Sequence, residues 1–351
     1  VNKKITDGTI KNQKIIEISV EEKPTGEISA GAGIGTDGGS FGFTVKENNW
    51  LGKGVNVATT LNLSTDTFAG SFDVTNPNYN FSGNSLNYFI SNATNDKSDS
   101  GYKNNISTTG IGFSFEQYKN IYFSPSLAFS YDDLKVQDSA SEALKKQKGT
   151  FSDLSLGYGI SKDVRDRTYA STEGYRLGFN QALPIYADSP YVKNTFNFIQ
   201  YKSFSEDTIG KFKFYASAIN GLQDKDVRIS KRLYLPSSKL RGFKKGGIGP
   251  KDGKDYVGGN YAVATNFEMN LPNLIPESAK IDLGFFLDIG NLWKVDYDDK
   301  INDSFKVRSS TGINANWLSP VGPMTFTFAR NLSKANTDQV ESFSFNLGTT
   351  F

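Results

Sequence analysis

The strongest constraint on this chain is a two-residue period that recurs from Gly26 to the C-terminus. Between Ile121 and Tyr131, the residues Ile121, Phe123, Leu127, Phe129 and Tyr131 alternate with Tyr122, Ser124, Ser126, Ala128 and Ser130. Successive side chains of a strand point to opposite faces, so such a segment predicts a strand with one apolar and one hydrophilic side. From Tyr261, the residues Tyr261, Val263, Phe267, Met269 and Leu271 face one way, and Ala262, Ala264, Asn266, Glu268 and Asn270 the other. From Ile281, the set Ile281, Leu283, Phe285 and Leu287 opposes Asp282, Gly284, Phe286 and Asp288.

About sixteen such segments follow Pro24. Among them are Ser85 to Ala93, Asn105 to Tyr118, Ile121 to Tyr131, Lys211 to Gln223 and Glu341 to Phe351. Two arrangements suit that many half-apolar strands. A soluble sandwich interdigitates two apolar faces, whereas a barrel in lipid turns one face outward and needs no partner sheet. The opposite faces carry Lys211, Lys213, Glu268, Asp288 and Arg308, which suits a wet lumen. The expected fold class is therefore all-β, a transmembrane antiparallel β-barrel of about sixteen strands, the even number letting the two ends meet side by side. A mean hydropathy of -0.44 does not oppose this, because only every second residue of such a strand is apolar.

Composition closes several functional routes. With no Cys there is neither a disulfide framework nor thiol catalysis, and with no His neither a Ser-His hydrolase nor the commonest zinc ligand. A formal net charge of +2 carries no polybasic signature, so no nucleic-acid partner is expected. Gly33-x-Gly35-x-x-Gly38 matches a dinucleotide fingerprint as a string, but Ser40 to Val45 alternates with period two where a helix must follow. Gly52-Lys53-Gly54 lacks the rest of a phosphate-binding loop and reads as a turn, and Asp296, Asp298 and Asp299 read as a solvated acidic loop rather than a calcium site. No enzyme activity, cofactor or metal is expected.

The length of 351 residues leaves the domain count open. Lys14 to Glu22 reads as a short strand closed by Lys23-Pro24, which places a boundary between residues 1–23 and 24–351. The start, Val1-Asn2-Lys3-Lys4, has no signal-peptide pattern and reads as that of a fragment or processed form. Ser139 to Lys148 breaks the strand period with a capping-box pattern at Ser139 and Glu142, predicting a short helix in an external loop.

One loop stands out by its neighbours. Leu240-Arg241-Gly242-Phe243 lies between the segments ending at Gln223 and beginning at Tyr261, and Glu268 and Asp288 fall on the hydrophilic parity of the strands that follow. Alone the tripeptide Arg-Gly-Phe reads as a solvated loop. Beside two inward carboxylates it predicts an arginine held in the lumen, with Glu268 and Asp288 as counter-charges that pin the loop; as a bare pair they would also suit acid-base chemistry.

At these residues the chain resembles the BamA family of outer-membrane barrel-assembly proteins. The resemblance is carried by Val20-Glu-Glu-Lys-Pro24, Glu47-Asn-Asn-Trp-Leu-Gly-Lys-Gly54, Leu240-Arg-Gly-Phe243, Gly258-Gly259-Asn260, Phe286-Leu-Asp-Ile-Gly-Asn-Leu-Trp293 and Trp317-Leu-Ser-Pro-Val-Gly-Pro323, in order and over nearly the whole chain. Leu240 stands where the family often has Val or Ile. The resemblance implies a bacterial outer-membrane barrel, with residues 1–23 as the tail of the last POTRA domain and an inward-folded Arg-Gly-Phe loop whose arginine meets acidic residues, here Glu268 and Asp288. It implies nascent outer-membrane β-barrel proteins as clients, outer-membrane lipids, accessory assembly lipoproteins and periplasmic chaperones as partners, and no nucleotide. It also implies a seam between first and last strands that opens sideways. On this sequence the seam comprises Ile28, Gly31, Gly33 and Gly35 on one side and Phe343, Phe345, Gly348 and Phe351 on the other. Glycines that offer few side chains predict weak pairing there, or else only tight curvature. An accessory assembly or secretion barrel of the TamA or two-partner type, a passive porin and a soluble β adhesin remain as other readings.

Overall fold

A computed structural model describes residues 2–8, 10, 12–21, 23–205, 208–271, 274–319 and 322–348. Among these residues sixteen antiparallel strands close into one barrel. They are β1 (Gly26–Gly35), β2 (Gly38–Trp50), β3 (Val55–Ser64), β4 (Thr67–Tyr79), β5 (Asn84–Lys97), β6 (Tyr102–Tyr118), β7 (Ile121–Val136) and β8 (Gly149–Asp163). The circuit continues through β9 (Gly174–Ala187), β10 (Tyr191–Ser203), β11 (Ile209–Gly221), β12 (Tyr261–Leu271), β13 (Ile281–Trp293), β14 (Arg308–Ser319), β15 (Gly322–Ser333) and β16 (Phe343–Gly348). Each pairs with its sequence neighbours and β16 returns to β1, so no sheet edge is left over.

The predicted parity is visible in exposure. Leu127, Phe129 and Tyr131 of β7, Phe68 and Phe72 of β4 and Phe285 and Ile289 of β13 all stand exposed on the outer surface. Inward neighbours such as Ala262, Ala264, Asn266 and Asp288 are buried. Apolar surface running around a whole barrel is stable only in lipid, where every ladder hydrogen bond is satisfied within the sheet. Among the described residues no helix is long and apolar enough to cross a membrane.

Connections differ at the two ends. One end has tight turns, such as residues 51–54, where Gly52 and Gly54 adopt φ of 70° and 65° that a side chain disfavours. The other carries the long segments 137–148, 222–260, 294–307 and 334–342.

At that end several strands outrun their predicted limits: β5 continues to Lys97, β6 begins at Tyr102 and β7 reaches Val136. Alternation fades there because both faces meet polar groups, while the ladder persists. Asn104 donates to Asp132 at 2.7 Å, and the Ser230 hydroxyl donates to the other Asp132 oxygen at 2.7 Å. Around this raised wall Leu134, Leu144, Ile229, Val257 and Val295 form a small apolar core that caps the barrel. Burial pushes the Tyr234 phenol, packed against that cap, up to about 12. The expected helix is real but brief: α1 (Glu142–Lys145) is capped by Ser141, whose hydroxyl accepts from the Leu144 N–H at 3.1 Å, and not by Ser139.

Candidate functional site

Segment 222–260 turns back into the lumen, where Leu240 and Phe243 are buried among Ile219, Leu235, Ala264 and Leu292. Between these two apolar anchors Arg241 meets the predicted carboxylates. Its backbone N–H donates to Asp288 Oδ2 at 3.0 Å, its Nε to the same oxygen at 2.7 Å and its Nη2 to Oδ1 at 2.7 Å. Nη2 also lies 3.0 Å from Glu268 Oε1. This fork-to-carboxylate geometry is the strong form of a charge-assisted pair. The Asp288 side chain is 0% exposed, so removing its cation leaves a buried charge without a counter-charge.

The arginine lies flat on a ring as well: its Cζ is 3.8 Å from the Phe286 centroid. Phe286 was not among the residues singled out from the sequence, yet it had a signal, an aromatic on the hydrophilic parity two positions before Asp288. Asn266, on the parity of Glu268, ties the site together by donating to Lys239 O at 2.9 Å and Asp288 Oδ1 at 2.8 Å. Gly242 has φ of 84°, and a Cβ there would come within 3.1 Å of Ala329 Cβ. Only glycine satisfies both the left-handed backbone and the close wall.

Beyond Gly242 the loop engages both flanks of the seam. Phe243 bridges to Val340, Lys244 N–H donates to Gln339 O at 3.0 Å and Glu341 N–H donates to Gly242 O at 3.0 Å, all just before β16. Toward the first strands, the Ser237 hydroxyl donates to Asp37 in the β1–β2 turn at 2.9 Å, and Lys245 pairs with Asp66 in the β3–β4 turn at 2.8 Å. Nothing in the sequence pattern pointed to these two aspartates.

Among the described residues, which end at Gly348, β16 and β1 share three residue pairs, Asn346 with Gly35, Leu347 with Ile34 and Gly348 with Gly33, against ten between β1 and β2. Thr36 N–H donates to Phe345 O at 3.0 Å, and Phe345 N–H donates to the Thr36 hydroxyl at 2.9 Å. Of the predicted seam residues, Gly33, Gly35, Phe345 and Gly348 meet here. Ile28 and Gly31 pair with Val45 and Gly42 of β2, and among the described residues they have no β16 partner. Phe343 packs at a tilt against Phe328 of β15, ring centres 5.0 Å apart, and Phe351 lies outside the described residues. A Cβ on Gly35 would stand 2.6 Å from Phe345 O, so the glycine admits a close approach of two backbones. A hydrophilic cavity of about 520 Å³, bordered by Gly35, Asn346, Arg241 and Glu268, lies between anchor and seam.

The acidic loop holds no cluster suited to a metal among the described residues. Asp296 instead pairs with Arg232 and accepts from Asn260 at 2.9 Å and from Val227 N–H at 3.0 Å.

A lipid-facing barrel of sixteen strands, with one long loop anchored inside and its terminal strands joined by three pairs among the described residues, defines a class of membrane barrel with a loop in its lumen. The chain belongs to the Omp85 superfamily, whose domain matches residues 49–351. It is 27% identical over 349 residues to the outer membrane protein assembly factor BamA of Neorickettsia risticii, covering 96% of this chain and 46% of that protein. The structure of BamA from Haemophilus ducreyi lacking POTRA domains 1-3 matches with a TM-score of 0.85 and 24% identity, over 100% of this chain and 75% of that one. CdiB from Escherichia coli shares the fold more distantly, with a TM-score of 0.59 and 13% identity over 99% of this chain and 67% of that one. The chain spans about half the length of the curated relatives it matches.

Proposed function

We propose that this chain is the membrane barrel of a bacterial outer-membrane insertase, which folds other β-barrel proteins into the membrane without itself being an enzyme. The observation that carries the reading is the junction of β16 with β1, where the described residues form three pairs and meet largely through glycine, against eleven pairs between β12 and β13. An edge exposed by parting those pairs offers unpaired N–H and C=O groups in the membrane plane, and a client strand satisfies them by β-augmentation. Relatives named as outer membrane protein assembly factors support the reading. In the same reading the hairpin of Asn2–Asp7 and Lys14–Ser19 is the tail of a POTRA domain. Arg241, Glu268 and Asp288 keep the loop inside, and lipoproteins and periplasmic chaperones deliver clients.

The test is a disulfide across the seam. Ile34→Cys and Leu347→Cys replace directly paired residues. In vesicles, with the periplasmic modules restored, the oxidised protein is expected to stop inserting a barrel client and the reduced protein to resume. Undiminished insertion by the locked form removes the seam from the mechanism.

A further inference from the structure

The lumen holds more positive charge than the loop anchor uses. Four cations, Lys211, Lys213, Lys239 and Arg241, surround the inward loop with two carboxylates between them. Glu268 is shared by Lys211 at 3.0 Å, Lys213 at 3.1 Å and Arg241 at 3.0 Å, and Asp288 is taken by Arg241. Lys239 has no carboxylate in ion-pair reach among the described residues; its ammonium rests 4.0 Å from the centre of the Tyr215 ring. Two positive charges are thus left without a protein counter-charge, inside low-dielectric walls that concentrate their field.

Those charges face a space of suitable size and chemistry. Lys213 and Lys239 line a cavity of about 560 Å³, together with Arg176, Asn180 and Asn197, and no Asp or Glu is among its lining residues. Arg176 adds to this charge, because Asp163, 3.9 Å away, is already held by Arg165 at 2.6 Å. A Cβ at Gly178 would meet no atom within 4 Å, which shows that the wall leaves room there. Ammonium groups, amides and hydroxyls are donors that favour an oxyanion over a halide, and a multivalent one suits the surplus.

We propose that this luminal chamber binds a small multivalent oxyanion of the phosphate class between Lys213 and Lys239. The test titrates the full chain, folded in detergent micelles, with inorganic phosphate by calorimetry at constant ionic strength, while gel heat-modifiability checks that each variant is folded. Wild type is expected to bind saturably at one site. Lys239→Gln is expected to weaken binding about tenfold, a step of about 1.4 kcal/mol. Lys162→Gln, which does not line the chamber, is expected to leave it unchanged. Asn197→Asp, which sets a carboxylate in the cavity at nearly constant volume, is expected to abolish binding and serves if Lys239→Gln does not fold. Heat that never saturates, or binding equal in wild type, Lys239→Gln and Asn197→Asp, marks an adventitious ion only and overturns the site.

Discussion

β12 and β13 share eleven residue pairs and carry Glu268, Phe286 and Asp288, all directed at one arginine, with Asn266 bracing Asp288; among the described residues β16 and β1 share three pairs and meet largely through glycine backbone. The first region is held by side chains on top of a complete ladder, the second, among the described residues, by three pairs and the Thr36 hydroxyl. The proposed lateral opening draws on this inequality, since it asks a barrel closed in lipid to part at one place. If every junction were built like the wall at β12, none would open before the rest. The inward loop belongs to both regions, fixed to the wall by Arg241 and touching each side of the seam through Gly242, Ser237 and Lys245.

The sharpest way to break the comparison is at the wall. Arg241→Ala leaves Asp288 buried with no cation, and about 3–5 kcal/mol of stability is expected to go with it. Arg241→Lys keeps the charge but loses the two-pronged contact and the flat stacking on Phe286, so a smaller loss is expected. Lys244 lies 3.8 Å from Asp99 with both side chains more than half exposed, and Lys244→Ala is expected to change stability by less than about 0.5 kcal/mol. Equilibrium unfolding in urea, followed by heat-modifiability, ranks the three. Equal losses for Arg241→Ala and Lys244→Ala would remove the distinction between anchor and surface pair.

At the seam the relevant change is smaller. Gly35→Ala drives a Cβ against Phe345 O, and a Cβ added at Gly348, whose φ is 120°, would likewise stand 2.4 Å from Ala32 O. Overpacking of this kind costs about 1–3 kcal/mol, expected here as faster oxidative trapping of the parted β1 edge by an added strand peptide. Gly178→Ala, on a wall strand with open space, is the control and is expected to behave as wild type. Trapping unchanged by Gly35→Ala would mean that the glycines serve curvature only.

The same contrast governs what was legible beforehand. Lipid outside and water inside impose parity on every strand, so Glu268 and Asp288 could be assigned to the lumen from their positions in alternating segments. The upper parts of β5, β6 and β7 could not, since Asp96, Asn104 and Asp132 sit where both faces are polar and periodicity vanishes. The extent of the seam was equally hidden. Thr36 and Phe345 bond across 309 positions, and how many pairs form depends on backbone register between segments that share no local pattern. Asp37 and Asp66 lie in ordinary polar turns and gain meaning only when the loop arrives beside them.

Those two aspartates supply the weakest expected effect and the finest test of the comparison. Lys245 and Asp66 are each about a third exposed, so the pair contributes about 0–1 kcal/mol and salt screens it, unlike the enclosed Arg241 anchor. Its position gives this small energy leverage, because it joins the loop to the β1 side while Gly242 and Lys244 join the loop to the β16 side. Lys245→Ala is expected to leave global unfolding unchanged and to speed seam opening by up to about fivefold, the factor that 1 kcal/mol represents. The protein with Ile34→Cys and Leu347→Cys reports this directly, since slower disulfide closure means a seam that is parted more of the time. Raising salt should slow closure in this two-cysteine protein and do little when Lys245→Ala is added to it. A salt response of equal size in both would place the ionic control of the seam elsewhere than at this contact.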